Sequence, residues 1–241
     1  MVPRETTEWT LRPAGVGDLS DVAEVFLASR AAAVPHMPPV VHTDDEVRAH
    51  IGGFDLAVRD LWVAEHESRV CGFAELQGEW LDDLYVHPEW AGQGIGGALL
   101  DVAKSLRPNG FCLWVFASNT PARAFYSARG LVELEHTDGS GNEEGAPDVR
   151  LAWPGTEPLG FYRRLIDAID DELADLLARR MALTHAVQEV KPVSGHSGRD
   201  ASRERQIAVR MAQRTGLPVE VLQPIMHTVI EESLTHYESV T

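Results

Sequence analysis

Charged residues that could bind an organic anion are concentrated in the last third of this chain of 241 residues. Arg180 and Lys191 are eleven positions apart, close to three turns of an α-helix, so their side chains point the same way. Both fall near an apolar stripe of helical periodicity, formed by Ile166, Ile169, Leu173, Leu176, Leu177, Leu183 and Val187. A cation on a buried face is unfavourable unless an anion meets it. The spacing predicts an anionic ligand inside a helical bundle.

A second interpretation of Arg180 stays open. An isolated arginine beside an apolar stripe commonly extends to water or pairs with a neighbouring carboxylate. Against this, further polar residues share helical faces by the same spacing rule. They are Asp200, Arg203 and Glu204 on the next helix, and Ser233 with Tyr237 on a third. Such a set favours a ligand site over a solitary surface arginine.

Residues 157–240 resemble the all-helical, AroQ-type chorismate mutases. The matching stretches are YRRLIDAIDDELADLLARRMAL, HAVQEVK, RDASRERQ and VIEES, in the family's order. The resemblance implies three helices, a homodimer intertwined through these C-terminal helices, and a site inside the bundle that converts chorismate to prephenate. The flexible SGHSG loop at 194–198 would lie beside that site and act as a lid.

The resemblance also implies a role for each charged residue. Arg163 binds one substrate carboxylate in the partner's site, Arg180 binds the other, and Lys191 hydrogen-bonds the breaking ether oxygen. The remaining residues surround the substrate: Asp200, Arg203 and Glu204 near the ring and its hydroxyl, and Ser233 in the pocket wall. A pericyclic rearrangement needs no nucleophile, metal or proton shuttle, so arginine forks and preorganised donors are the appropriate residue types.

Tyr237 departs from the family pattern. The family commonly places Gln or Glu there, four residues after the serine, to help bind the ether oxygen. A phenol can donate a hydrogen bond but is longer and bulkier. This difference keeps a relative that rearranges 4-amino-4-deoxychorismate, in aromatic amine or antibiotic precursor metabolism, as an alternative.

A second constellation lies in the N-terminal half, where the glycine-rich stretch HPEWAGQGIGGALLDVAKSL follows a strand-like run. Its glycines let a ligand approach the backbone at a helix N-terminus, where free N–H groups and the positive dipole end suit a diphosphate. The stretch lacks the Walker A lysine, and the next strand brings no acidic residue for a ribose hydroxyl, so P-loop and Rossmann sites are disfavoured. A plain strand-to-helix turn is the simpler alternative.

Further downstream, NTPARAFYSARGLVEL supplies the pattern N-x-x-A-x-x-F-Y-x-x-x-G. With the glycine loop, residues 7–154 resemble the GNAT acyltransferases, including a strand pair at LWVAE and VCGFAEL and the tail TDGSGNEEGAPDVRLAW. The resemblance implies that acetyl-CoA is bound at Gln93, Gly94, Ile95, Gly96 and Gly97, with Asn119 near its pantetheine arm. The family motif usually opens with Arg or Gln, whereas this chain has Ala91.

Proton transfers complete the chemistry implied for this domain. Tyr126 is the general acid for the departing thiolate, with packing on the sheet as its alternative role. The general base is one of Glu75, Asp82 and Asp83, and the sequence does not rank them. The acceptor is an unidentified amine, and the acidic composition favours a cationic one.

Composition limits the function classes. The net charge of −16 disfavours nucleic acid and anionic membranes as partners. No apolar run is long enough to span a bilayer, and the polar N-terminus is unlike a signal peptide, so a cytoplasmic location is expected. Cys71 and Cys112 resemble ordinary buried thiols, and the ten histidines show no ligand spacing, so no metal site is expected.

We therefore predict two domains: an α/β, GNAT-like domain with a mixed central sheet and flanking helices at 1–154, and an all-α, three-helix mutase domain that dimerises at 155–241. Three functional hypotheses compete. The first is a bifunctional enzyme of shikimate-derived aromatic amino acid metabolism. The second is a mutase regulated by a non-catalytic acetyl-CoA-binding domain. The third is a non-enzymatic dimerisation module that carries an acetyltransferase, which the retained charged residues argue against.

Overall fold

The computed structural model describes residues 8–190 and 200–240, with side chains through residue 236. The chain divides into two compact units, Met1–Arg163 and Arg164–Thr241. A β-sheet with helices builds the first unit, whereas the described part of the second is helical. This is the α/β domain followed by an all-helical region that the sequence predicts.

The first unit is organised around a seven-stranded sheet in the order β1-β2-β3-β4-β5-β7-β6. All neighbouring strands are antiparallel except β4 and β5, which are parallel. The strands are β1 Thr10–Pro13, β2 Asp60–His66, β3 Arg69–Gln77, β4 Trp80–Val86, β5 Phe111–Phe116, β6 Val132–His136 and β7 Asp148–Trp153.

The parallel pair at the centre of the sheet diverges almost at once. Trp80 of β4 is in register with Cys112 of β5, and the ladder between the two strands contains no other pair. The backbone groups beyond that point therefore lack a strand partner across the gap. A wedge-shaped opening results in the middle of the sheet, where a ligand can insert between strands.

Helices cover both faces of this sheet: α1 Leu19–Ala32, α2 Asp44–Gly52, α3 Ile95–Leu106 and α4 Thr120–Ser127. Thr43 begins α2 with a capping box, in which its side chain accepts from Glu46 N and Glu46 bonds back to Thr43 N. Leu99 and Leu100 of α3 belong to one apolar core, whereas the other core contains residues of α1, α2 and Phe73. Two cores on opposite faces hold the sheet rigid.

The segment after β7 belongs to the first unit. Gly155 has φ +71°, and a Cβ there would lie 2.5 Å from Pro108 O. Phe161 is 1% exposed, and a Cβ on Gly110, whose φ is +102°, would lie 2.4 Å from its ring. Only glycine fits both positions, so this segment is closely packed on the turn before β5.

The helices of the C-terminal region are α5 Pro158–Val190, α6 Ala201–Thr215 and α7 Val219–Val240. Asp200 caps α6 by accepting from Arg203 N at 2.9 Å, and Gly216 ends it at φ +71°. One expectation is wrong for a single chain: the apolar stripe of α5 is not buried. Leu173 and Leu176 are 52% and 54% exposed, and Ile166, Ile169, Leu183 and Val187 are also exposed.

Candidate active sites

The glycine loop has the geometry of an open helix N-terminus. Gly94 is the N-cap of α3 with φ +90° and makes no side-chain capping bond. The first-turn N–H groups of Ile95, Gly96 and Gly97 therefore have no intrahelical acceptor. A Cβ on Gly92, at φ +76°, would meet no described atom within 4 Å, so the backbone is open to a ligand. This site suits a diphosphate.

An arginine that the sequence analysis did not select lies beside this loop. Arg129 Nη2 is 3.2 Å from the position that a Cβ on Gly97 would occupy. Its guanidinium lies 4.0 Å from the centre of the Phe125 ring, and its Nη1 donates to Phe125 O at 3.2 Å. These contacts hold an exposed cation at the first turn of α3. Arg129 stands directly before the final glycine of the pattern N-x-x-A-x-x-F-Y-x-x-x-G. This position in the motif could have identified it from the sequence.

A cavity of about 1100 Å³ opens at the wedge between β4 and β5. Its walls come from α1, α2, both strands, the start of α4 and the loop between β6 and β7. Asp82 and Asp83 of β4 line it, as do Asn119 and Tyr126 of α4. The structure therefore brings the predicted acid, the predicted cofactor residue and two of the candidate bases into one cavity.

Three carboxyl groups converge at the β3–β4 end of the cavity. Glu75 is fully buried, and its Oε1 accepts from Arg59 Nη1 at 2.8 Å. The Asp82 carboxyl interacts directly with Glu75, and burial together with this contact raises the pKa of Glu75. Burial raises the pKa of Asp83 to about 7, reinforced by the charges of Glu75 and Asp82. One arginine beside three carboxyls favours the binding of protons or a cation.

Geometry separates Glu75 from the other two candidate bases, Asp82 and Asp83, which both line the cavity. Glu75 is occupied by Arg59 and is not part of the cavity lining. Asp83 lines the cavity, and its pKa of about 7 gives it both protonation states near neutrality. A general base with such a pKa accepts and releases a proton most effectively at neutral pH. Asp83 is therefore the candidate that geometry and charge favour.

Tyr126 is 8% exposed, and burial raises the pKa of its phenol. Its phenol is therefore protonated near neutral pH and can act as a hydrogen-bond donor. Asn119 caps α4, with its Oδ1 accepting from Ala122 N at 3.2 Å. That bond leaves the Asn119 amide N–H groups for another acceptor, and Asn119 itself faces the cavity.

In the second unit, the structure joins two of the predicted substrate-binding residues. Arg180 Nη1 donates to Ser233 Oγ at 3.0 Å, and Ser233 Oγ donates to Val229 O at 2.6 Å. Ser233 is 2% exposed, whereas Arg180 is half-buried. The guanidinium is thus fixed against α7 by one donor group, which leaves its other N–H donors free to bind a carboxylate.

Of the other predicted mutase residues, Asp200, Arg203 and Glu204 lie at the start of α6, whereas Arg180 of α5 contacts α7. Arg163 is exposed on α5, and Arg203 is exposed on α6, where Asp200 is the cap. Glu204 lines a separate hollow of about 500 Å³ between α6 and α7, with Ala201, Arg205, Glu220, Gln223, Pro224, Met226 and His227. Lys191 and the 194–198 loop lie outside the described residues, as does the side chain of Tyr237.

Cys71 and Cys112 are buried free thiols, as expected, and burial raises the pKa of each. Within residues 8–190 and 200–236, no cluster of three His, Cys, Asp or Glu side chains has the arrangement of a metal site. None of the helices in the described ranges combines the length and apolarity needed to cross a bilayer.

Comparison with known families assigns both parts of the chain. The family model described as Acetyltransferase (GNAT) domain matches residues 57–133. The family model described as Chorismate mutase type II matches residues 162–238. The first match includes the glycine loop, the three carboxyl groups and Tyr126, and the second includes Arg163, Arg180 and Ser233.

Individual relatives share the N-terminal part. The peptidyl-lysine N-acetyltransferase YiaC of Escherichia coli K12 is 31% identical over 107 residues, covering 43% of this chain and 70% of the relative. The peptidyl-lysine N-acetyltransferase YjaB of Salmonella typhimurium is 41% identical over 95 residues, covering 39% of this chain and 65% of the relative.

A solved structure shows the same fold in the first unit. Apo-form YjaB from Escherichia coli superposes with a TM-score of 0.51 at 23% identity, over 62% of this chain and 99% of that one. The sequence relatives, the family models and the shared fold agree on the assignment. The chain therefore belongs to the GNAT acetyltransferase family and carries, fused behind its acetyltransferase domain, a type II chorismate mutase domain.

Proposed function

We propose that this chain is a bifunctional enzyme, in which the C-terminal unit rearranges chorismate to prephenate and the N-terminal unit transfers an acetyl group from acetyl-CoA to an amine. The observation that carries the mutase is the Arg180–Ser233 contact, which fixes a guanidinium within a helical unit that matches type II mutases. The observation that carries the acetyltransferase is one cavity that contains both Asp83 and Tyr126.

In the mutase reaction, the protein holds a dianion in its reactive conformer and stabilises the charge that develops on the ether oxygen. Arg180 binds one carboxylate, and Arg163 of the partner subunit binds the other. Lys191 donates to the ether oxygen, where its bond strengthens as the carbon–oxygen bond breaks. One such donor contributes about 3 kcal/mol to the transition state, so Lys191→Ala is expected to lower turnover about 100-fold or more.

The exposed apolar face of α5 supports a homodimer. Ile169, Leu173 and Leu176 are each more than half exposed in the single chain, although their periodicity is that of a buried stripe. A second copy would cover this face and bring its Arg163 to the site. Mixing an Arg163→Ala chain with an Arg180→Ala chain should therefore restore activity, because one site of the heterodimer keeps both arginines. No restored activity would contradict a shared site.

In the acetyl transfer, the amine attacks the thioester carbonyl, a carbon–nitrogen bond forms, and the carbon–sulfur bond breaks. Asp83 takes the proton from the amine, which fits its pKa of about 7. Tyr126 donates a hydrogen bond to the departing sulfur and supplies the proton that converts it to a thiol. The first-turn N–H groups of α3 bind the diphosphate of acetyl-CoA.

Arg129 supplies the cation that the Ala91 position lacks. The family motif usually has Arg or Gln there, and alanine cannot contact a diphosphate by hydrogen bonding. Arg129 reaches the first turn of α3 from the turn that follows α4, held there by Phe125. A guanidinium binds phosphate oxygens well, so the diphosphate site keeps a side-chain cation despite Ala91.

Product analysis with the purified chain tests both activities. Chorismate should be converted to prephenate, whereas conversion of 4-amino-4-deoxychorismate alone would assign the C-terminal unit to that alternative substrate. Acetyl-CoA should raise the melting temperature of the wild-type chain, and Gly94→Glu should abolish the shift because a carboxylate repels the diphosphate. The absence of any shift in the wild type would contradict acetyl-CoA binding.

Tyr237 provides a separate test of substrate choice. If its hydroxyl donates to the ether oxygen, Tyr237→Phe should cost about tenfold in turnover on chorismate, and Tyr237→Gln should keep or raise activity. A silent Tyr237→Phe variant would show that the phenol only packs. Lys191 would then act alone on the ether oxygen, or the natural substrate would be a different chorismate-like acid.

A further inference from the structure

Two loops of the first unit are bonded to each other across the cavity that contains Asp83. The loop between α1 and α2 spans 33–43, and the loop between β6 and β7 spans 137–147. Glu144 of the second loop accepts from Arg30 Nη2 at 2.8 Å, and Glu143 pairs with His42 Nε2 at 2.7 Å. Arg30 also donates to Pro38 O at 3.3 Å, so it joins both loops.

The second loop is a folded structure rather than an open strand. Asn142 Nδ2 donates to Ala146 O at 2.8 Å and to Asp148 Oδ2 at 2.9 Å, and Asn142 Oδ1 accepts from Ala146 N at 3.2 Å. Gly139 has φ +82°, and a Cβ there would lie 2.3 Å from the Ala146 backbone. The loop is therefore preformed as one wall of the cavity.

The cavity has a strongly negative lining. Arg30 is its one lysine or arginine among the described residues, and Glu144 already pairs with it. The carboxyl groups in the lining are Glu46, Asp82, Asp83, Glu143, Glu144 and Asp148. An excess of carboxylates in a concave site attracts cations and concentrates them there.

A histidine paired with a carboxylate lies at the mouth of the cavity. His42 pairs with Glu143, and Glu46 and Glu144 lie close enough to act on its charge. These carboxylates raise the pKa of His42, with Glu143 as the largest cause. Three carboxylates thus make this half-exposed position favourable for a positive charge.

At the inner end of the cavity, three carboxyl groups share one directly bonded arginine, Arg59. Glu75 is fully buried, and its Oε2 has no hydrogen-bond partner within the described part of the chain. This oxygen belongs to the same carboxyl cluster as Asp82 and Asp83. A buried carboxylate oxygen without a donor is unfavourable, and an ammonium entering beside Asp83 would reduce that cost.

We propose that the acetyl acceptor is a small, flexible di- or polyamine, bound with one amine at Asp83 and a second, protonated amine at Glu46 and Glu143. This inference rests on the proposed acetyltransferase function and specifies its substrate class. The exposed face of Trp114, which also lines the cavity, contacts the apolar carbons between the two amines. Recognition at two points selects polyamines over monoamines.

A lysine of a folded protein fits this cavity less well. Its backbone would have to lie against the 137–147 loop, which is closed on the 33–43 loop by the Arg30–Glu144 and His42–Glu143 pairs. Arg30 is 7% exposed, so opening this contact would leave a charged pair partly uncompensated. A free polyamine needs to displace only His42, whose side chain is half exposed.

Spermidine, butylamine and a short peptide with one internal lysine serve as probes, each with the full-length chain and acetyl-CoA at low ionic strength. The measured quantity is kcat/KM from CoA release, with mass spectrometry of the product. The kcat/KM for spermidine should exceed that for butylamine about tenfold or more, because one additional charged contact contributes about 1.4 kcal/mol. The kcat/KM for spermidine should also exceed that for the peptide.

Glu143→Gln tests the outer amine site, since Glu143 is 71% exposed and its substitution leaves the core intact. It should raise KM for spermidine about fivefold, since that change corresponds to the upper range of the energy of one exposed ion pair. It should also lower the ratio of kcat/KM for spermidine to kcat/KM for butylamine. Glu67→Gln is the matched control, because Glu67 is 84% exposed on the β2–β3 turn, outside the cavity lining. It should leave both substrates unaffected.

Calorimetric titration of spermidine into the chain without acetyl-CoA separates this inference from the proposed function. Spermidine binding that weakens in Glu143→Gln, with no acetyl transfer to any probe, would overturn the acetyltransferase function and retain the polyamine site. Acetylation of the peptide or of butylamine as efficient as that of spermidine would overturn the polyamine proposal and retain the function.

Discussion

The two units of this chain differ in how completely each buries its own apolar residues. In the first unit, Phe73, Phe111 and Phe161 are at most 1% exposed, and both faces of the sheet are covered by helices. In the second unit, the apolar stripe of α5 is more than half exposed along much of its length. A folded chain leaves such a stripe open only where another surface covers it.

The two candidate sites also differ in how many of their residues one chain brings together. Asp83, Asn119 and Tyr126 line one cavity of one chain, so the acetyltransferase site is complete within the first unit. In the second unit, Arg180 is fixed on Ser233, whereas Arg163, the last residue of the first unit, is exposed. The first site can thus function in a monomer, whereas the second requires a second copy under the proposed mechanism.

The largest expected effect comes from charging the exposed stripe. The double variant Ile169→Glu with Leu173→Glu would bury two carboxylates in the proposed dimer interface, at a cost of several kcal/mol. We expect a monomer by light scattering and a mutase activity reduced about 1000-fold, with acetyl-CoA binding unchanged. Val58→Glu is the control, because Val58 is 60% exposed on the first unit. A double variant that remains dimeric would contradict the proposed interface.

Close packing in the first unit predicts the next largest effect. Gly110→Ala places a Cβ 2.4 Å from the Phe161 ring at a backbone φ of +102°. We expect it to lower the free energy of unfolding by about 3 kcal/mol, from overpacking combined with an unfavourable backbone conformation. Urea denaturation measures this change. Gly160→Ala, whose Cβ meets nothing within 4 Å, should be neutral or slightly stabilising.

Removal of the proposed base tests whether the first site works alone. Asp83→Asn should lower kcat/KM for acetyl transfer about 100-fold and leave mutase activity unchanged. With a pKa of about 7, Asp83 is protonated below neutrality, so the wild-type rate should rise as pH increases through 7 and then level off. The charges around Asp83 are Glu75, Asp82, Arg30 and Arg59. An Asn variant that keeps this pH dependence would assign the base to Asp82 or Glu75.

The smallest effect concerns the cation beside the glycine loop. Arg129→Ala should raise KM for acetyl-CoA about tenfold, since a charge-assisted contact to a phosphate contributes about 1.4 kcal/mol. Arg69→Ala, an exposed arginine at the start of β3, provides the matched loss of charge and should not change KM. An unchanged KM in Arg129→Ala would leave the diphosphate to the backbone donors alone.

Several elements of this molecule could be predicted because their signals are local. The glycine loop predicts the beginning of α3 at Ile95, since only glycine adopts the φ of +90° at Gly94 without strain. Asp200 before a helical run predicts the cap of α6. The family resemblance located β2 and β3, and helical periodicity located α5.

Other features depend on contacts between distant positions and had no local signal. Arg30 meets Glu144, a separation of 114 residues, and His42 meets Glu143. The separation of Glu75 from Asp82 and Asp83 depended on which carboxyl Arg59 bonds and which ones line the cavity. The exposure of Leu173 and Leu176 could not be read from periodicity, because the same pattern fits burial in one chain or between two.

The sequence by itself determined the two families, the order of the helices and strands, and the residue types that each chemistry needs, because backbone propensity, capping and glycine φ are properties of short segments. Only the tertiary structure decided which candidate bases have access to the cavity, where Arg129 lies, and how the two loops pair with each other. Those features depend on burial and on charge–charge distance, and both quantities exist only after distant segments have packed together.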